Sequence, residues 1–266
     1  MNNRNKDGIV IHHDKKDFEG MRKAGKIAAQ CLDFIAPYVQ VGVTTEYLDD
    51  LCAQFIKEQG CISACLGYRG YLKNTCISIN HEICHGIPSP NRKLSEGDIL
   101  NIDVTVIADG WFGDTSRMYY AGKPSVKAKR LSDITYECLM RGIDVVKPGA
   151  YFGDIGAVIE DVAHHYGYSV VDMFCGHGLG KVFHDEPNVM HCGKKGTGPR
   201  IEEGMFFTIE PMINFGKKEA TILANEWTAV TKDRSLSAQF EHSIGVTSDG
   251  VEIFTLSPKG MDKPPY

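Results

Sequence analysis

The chain has 266 residues, of which 42% are hydrophobic and 24% charged, and its net charge is −5. That length buries a sizeable core and that composition belongs to a globular protein, while the mild acidity and the lack of a basic stripe leave no electrostatic footprint for nucleic acid. No apolar run approaches the roughly eighteen residues of a membrane span.

The opening segment, MNNRNKDGIVIHHDKKD, lacks the apolar stretch of a signal peptide. About the first fifteen residues read as a flexible or loosely packed lead-in, with His12 and His13 on the surface. Phe18, Met21, Ile27, Ala28, Cys31, Leu32 and Ile35 then recur at helical spacing until Pro37 breaks the run. Thr44 or Thr45 caps a second helix carrying Leu48, Leu51, Cys52, Phe55 and Ile56, which Gly60 closes. Strand patterns fill Cys61 to about Tyr120. Within them His85 stands at a strand end, before a Gly-Ile-Pro turn.

The segment GDILNIDVTVIADGWFGDTSRMYYAG reads as a β-hairpin turning at Asp109-Gly110, a pair favoured in type I′ turns. A two-residue turn pairs Ala108 with Trp111, Thr105 with Asp114 and Asp103 with Ser116. Asp103 and Asp114 then lie diagonally on one face, within about 7–8 Å of each other. An ordinary half-exposed hairpin would alternate too, but that gives no reason for acid at both positions. A three-residue turn would put the acids on opposite faces.

Helical patterns return over roughly 126–146 and 152–165, and strand patterns follow. In FCGHGLGKVFHDEPN, His177 lies between two glycines and His184 follows seven residues later. His164, His165 and His191 read as surface residues. FFTIEPMI sets Glu210 in an apolar strand directly before Pro211. A buried carboxylate there costs several kcal/mol unless paired, protonated or metal-bound, and the proline suggests an edge or bulge; an edge glutamate facing solvent is the alternative. Glu241, in LSAQFEHSIGV, is another acid in an apolar strand pattern, and its neighbour His242 points to the other face. Four carboxylates and an imidazole suit two divalent ions in oxygen-rich coordination, with Mn, Fe, Co and Zn all chemically suitable. Nine cysteines (31, 52, 61, 65, 76, 84, 138, 175 and 192), with no CxxC pair, suggest reduced core residues and a cytoplasmic protein.

A shift of 107 residues superposes Gly42 on Gly149 and Gly60 on Gly167. It also brings Leu48, Leu51 and Phe55 onto Ile155, Val158 and Val162, Glu96-Gly97 onto Glu203-Gly204, and Asp103 onto Glu210. Glycine after a helix and Glu-Gly before a strand are common enough to leave coincidence open. If the repeat is real, two α+β halves share one sheet system, with a carboxylate at the same strand position in each. No Pro/Gly/Ser-rich linker divides them, so residues 1–266 read as a single catalytic domain.

The segments ACLGYRGYLKNTCISIN, HGIPS, NIDVTV with GDTSRMY, CGHGLGKVFHDEP, TIEP and TKDRSLSAQFEH closely resemble the type I bacterial methionine aminopeptidases, over essentially the whole chain. The resemblance implies an α+β pita-bread (creatinase/aminopeptidase) fold, two pseudo-symmetric α/β halves around a curved antiparallel sheet. It implies a hydrolase that removes the N-terminal methionine of nascent proteins with a hydroxide bridging two metal ions. Asp103, Asp114, His177, Glu210 and Glu241 match the ligands, Asp114 and Glu241 as the bridging pair. Glu210 also matches the residue that takes the water's proton, and His85 and His184 the two histidines that bind the peptide and assist at the scissile amide. Cys65, Tyr68, Tyr71, Cys76, Phe183 and Trp227 match the methionine pocket. Nascent chain N-termini, met near the ribosome by a cytoplasmic monomer, are the implied partners. A sibling enzyme acting on proline-containing peptides would share the five ligands; a non-catalytic peptide-binding relative should have lost some of them.

Overall fold

The computed structural model describes residues 10–266, so most of the lead-in lies outside the described residues. Four α-helices form among the described residues: α1 (Lys15–Ile35), α2 (Thr45–Glu58), α3 (Val126–Asp144) and α4 (Phe152–His165). Their ends follow local chemistry. Asp14 accepts from the backbone of Lys16 and Asp17, while Asp17 reaches back to Asp14 in a capping box. Thr44 caps α2 by accepting from Tyr47 N–H, and Gly60 follows it in the left-handed region at φ 70°.

Fifteen strands accompany them. The first half carries β1 (Ile62–Ser63), β2 (Cys76–Ile79), β3 (Glu82–Cys84), β4 (Ile99–Ala108) and β5 (Trp111–Tyr120). The second carries β6 (Ser169–Val170), β7 (Gly176–Gly178), β8 (Asp185–Val189), β9 (Phe206–Ile209), β10 (Met212–Asn214), β11 (Ala220–Ile222), β12 (Ala229–Thr231), β13 (Ser237–Gln239), β14 (His242–Val246) and β15 (Val251–Ile253). Every strand pair among the described residues is antiparallel. One sheet runs β1-β4-β2 with β5 on β4, another β15-β14-β9-β7-β8, and β3 joins β12 from the far half. A bridge between Ser116 and Glu241 links the halves.

The 107-residue repeat is structural. Helices α2 and α4 begin and end at positions that shift onto each other. Gly42 and Gly149 have φ of 88° and 90°, Gly97 and Gly204 of 87° and 86°. The bridge Thr44–Lys93 has its counterpart in Tyr151–Arg200. Gly42 N–H donates to Leu94 O at 2.7 Å, and Gly149 N–H to Ile201 O at 2.8 Å. Each half has its own core. In the first, Met21, Ala28, Leu32 and Ile35 of α1 lie against Ile102, Val104 and Val106. Each such aliphatic side chain contributes about 1.5–3 kcal/mol on full burial. In the second, α3 and α4 cover Phe207, Ile209 and Ile244.

The β4–β5 hairpin has the expected two-residue turn and register, Asp103 opposite Ser116 and Thr105 opposite Asp114. Asp109 (φ 51°) and Gly110 (φ 83°) both take positive φ, as a type I′ turn requires. Gly113 lets α1 press directly on β5: a Cβ there would lie 2.3 Å from the Ala24 carbonyl. That contact fixes β5 one residue before Asp114.

Within the described residues the chain is packed from Val10 onward: Val10 is buried, and the His13 ring, expected at the surface, stacks on Phe206 with centroids 4.1 Å apart. His191, expected at the surface, is fully buried, because the segment after β8 runs beneath α4. His164 and His165 are exposed, as expected.

Candidate metal centre and substrate cleft

A cleft of about 560 Å³ opens where the halves meet, and all the residues singled out above as ligands, catalytic groups or pocket walls line it. The hairpin forms part of its floor. Asp114 accepts the Thr105 hydroxyl at Oδ1 (2.7 Å), and its backbone exchanges hydrogen bonds with Ser243 on β14. The Asp103 carboxyl faces the same space, and its Oδ1 is buried without a partner.

The opposing half supplies the other three. The glycines flanking His177 are packing requirements: a Cβ at Gly176 would lie 2.4 Å from Thr208 O, and one at Gly178 2.1 Å from Glu186 O. His177 Nδ1 lies 3.0 Å from the Gly178 carbonyl. A carbonyl only accepts, so Nδ1 carries a proton and Nε2 is the nitrogen that faces the cleft. That nitrogen is 3.5 Å from Asp114 Oδ2 and 3.7 Å from Glu210 Oε1. Glu210 occupies the break between β9 and β10, where Pro211 ends the ladder as its sequence position suggests. Glu241, expected within a strand, instead sits at the break between β13 and β14. Its N–H donates to Ser116 O at 3.0 Å and its carbonyl accepts from the Thr115 hydroxyl at 2.7 Å.

These carboxylates are held close and dry. Burial, then the charge of Asp114, pushes Asp103 well above the usual carboxylate range, and Glu241 is raised by the same two causes. Burial carries Glu210 up to about 7. The His177 imidazole is raised, burial opposing and Asp114 and Glu210 outweighing it. No Lys or Arg among the described residues pairs with any of the four acids. Such a cluster keeps its charge only if cations enter it. Ligand atoms of Asp114, His177 and Glu241 lie within 4.8 Å of one another, and the orphaned Asp103 oxygen adds another donor. The donor set fits divalent ions that accept oxygen and imidazole ligands.

Above the floor stand two more histidines. His85, at φ 56°, meets Phe174 and Trp227 edge to face. His184 stacks on Tyr68 and lies 4.1 Å, ring to ring, from His177. Burial lowers both, His184 to about 4, so each imidazole is neutral at pH 7. To one side Cys65, Tyr71 and Cys76 form a small buried cluster, with Phe183 and Trp227 packed against it. Thr105 joins pocket to floor: its Oγ1 lies 3.8 Å from Cys65 Sγ while its hydroxyl serves Asp114.

Sequence reasoning missed the layer behind these groups. Thr208 accepts His177 N–H (3.0 Å) and donates to Glu210 Oε1 (2.8 Å), and Gln239 donates to Glu210 Oε2 (3.2 Å). Thr105 was findable from the hairpin register, and Thr208 from its place two residues before Glu210 on the same strand face. Met173, Phe174, Cys175 and Asn188 also line the cleft, without a sequence signal.

A profile of metallopeptidase family M24 matches residues 19–248. The chain is 57% identical over 256 residues to a methionine aminopeptidase of Rickettsia prowazekii, covering 96% of this chain and 98% of that one. It is 52% identical to a methionine aminopeptidase of Escherichia coli over 91% of this chain and 92% of that one. The crystal structure of methionine aminopeptidase from Rickettsia prowazekii superposes with a TM-score of 0.92 at 55% identity, over 93% of this chain and 100% of that one.

Proposed function

The chain belongs to metallopeptidase family M24, and we propose that it is a metal-dependent aminopeptidase that removes the N-terminal methionine from nascent proteins. In this reading residues 1–266 are one catalytic domain, because neither half holds all five candidate ligands, and the protein works as a cytoplasmic monomer near the ribosome. No helix among the described residues is long and apolar enough to cross a membrane.

Asp103, Asp114, His177, Glu210 and Glu241 would hold two divalent ions drawn from Mn, Fe, Co or Zn. Bound there, such ions would lower the pKa of water, polarise a carbonyl and hold a free amine. Glu210 accepts the attacking water's proton and returns it to the leaving amine. One neutral histidine, His85 or His184, donates to the carbonyl oxygen as charge develops, and the other faces the amide nitrogen.

The contact of Thr105 with both Cys65 and Asp114 carries the reading. A side chain in the Cys65–Tyr71–Cys76 pocket has its own α-amine beside the carboxylate floor, which makes the enzyme an exopeptidase reading its first residue. Tyr68, Phe183 and Trp227 complete walls whose sulfur and aromatic surfaces suit a thioether.

The test is hydrolysis of Met-Ala, N-acetyl-Met-Ala and Xaa-Pro peptides after chelation and re-addition of single metals. Release of methionine from the free-amine peptide alone, restored by metal, is the expected result. Cleavage of only the proline peptides, or full turnover after chelation, would overturn the reading.

A further inference from the structure

His191 has no part in the chemistry above, yet it is fully buried and its Nδ1 has no partner. An unpaired buried donor costs about 1–3 kcal/mol, and a leucine would fill the space without that cost. What the imidazole does make is one contact: its Nε2 accepts Glu210 N–H at 3.1 Å. Nothing in the sheet replaces that acceptor. The β9–β14 ladder ends at Ile209 opposite His242, Pro211 follows, and the N–H of Glu241 is turned toward Ser116.

The histidine is itself held from behind. Gly156 of α4 lies so close to the flanking chain that a Cβ would stand 2.5 Å from Cys192 O and 2.9 Å from Met190 O. Helix α4 thus braces the segment whose imidazole reaches Glu210. Thr208 and Gln239 bind the two carboxylate oxygens of Glu210, and His191 binds its main chain.

We propose that His191 is a positioning residue for Glu210, fixing the main chain at the strand break so that the carboxylate meets His177 and the substrate. This rests on the reading of Glu210 as a metal ligand and proton carrier. Without the imidazole, the peptide unit at the strand break loses its only hydrogen-bond acceptor and turns, and the carboxylate turns with it.

Two substitutions and one spectrum test it. His191→Leu should lower kcat on Met-Ala by about 10–100-fold and weaken metal affinity, the scale seen when groups supporting metal ligands are lost, with KM within about twofold of wild type. His191→Gln, which offers a carbonyl oxygen in the same place, should recover most of that loss. In the unaltered metal-free protein, NMR should detect a scalar coupling from Glu210 N to His191 Nε2 across the N–H···N bond. Absence of the coupling, wild-type kcat in the leucine variant, or a glutamine variant no better than leucine would each overturn the role. Glu210→Gln separates the two levels. If it keeps wild-type turnover, the reading of Glu210 itself fails; if it is inactive while His191→Leu is unaffected, only the role of His191 does.

Discussion

Asp103 and Glu210 occupy the same place in the two halves, each six residues beyond a left-handed glycine, Gly97 at 87° and Gly204 at 86°. Both carboxylates are raised by burial, and the charge of Glu210 adds to the rise of Asp103. The duplicated scaffold therefore brings like charges together at its junction, where the proposed ions would be the compensation.

Loading should depend on pH in a fixed direction. Glu210 is raised from 4.5 to about 7 and His177 is raised as well. A raised group stabilises the metal-free fold below its unfolded pKa and loses that contribution as pH rises through its folded value. Metal must displace those protons, so affinity should climb from about pH 6 to about pH 8, roughly tenfold per unit for each proton released. The rise in Tm on adding Mn should be larger at the higher pH; an equal or smaller rise there would contradict the linkage.

Asp114→Ala should abolish metal loading and turnover together. Asp114 lies within reach of both His177 and the Glu241 carboxylate, and its loss would remove one of the two expected shared ligands. Metal content after dialysis and hydrolysis of Met-Ala should fall in parallel. Retained activity would refute the two-ion assignment.

His184→Ala should separate the two properties. The ring stacks on Tyr68, lies tilted against His177 and is not one of the candidate ligands, so metal content should stay at the wild-type level. Turnover should drop by about 10²-fold or more, the usual loss for a proton-donating group. Calorimetric titration with Mn and steady-state kinetics on one preparation decide it.

Outside the cleft lining, Asp33 and Arg117 form a fully buried ion pair at 2.6 Å, and Arg117 also donates to Met261 O at 2.8 Å. Asp33→Ala should cost about 3–5 kcal/mol in denaturant unfolding by stranding the guanidinium. The double variant Asp33→Leu/Arg117→Met should recover most of it. A single variant losing less than about 1 kcal/mol would show that water reaches the pair.

What could be read from the sequence was what local chemistry decides. The cap at Thr44 and the Asp109-Gly110 turn depend on neighbours a few residues away, and with the turn came the register that pairs Thr105 with Asp114. The repeat was visible because left-handed positions demand glycine in both copies. The rest depends on distant chain. His191 meets Glu210 only because the segment after β8 is pressed under α4, and nothing in MHCG announces that burial. His13 is buried by Phe206, nearly two hundred residues away. Glu241 lies at a break whose bridge to Ser116 spans the halves, so its place in the centre came from family resemblance.

The bridge from Ser116 to Glu241 also sets a timetable. The candidate ligands leave the ribosome in the order Asp103, Asp114, His177, Glu210 and Glu241, and the last reaches the others only when its N–H closes onto Ser116. A half-made copy holds acids without a complete centre. Hydrolytic competence therefore needs both halves together.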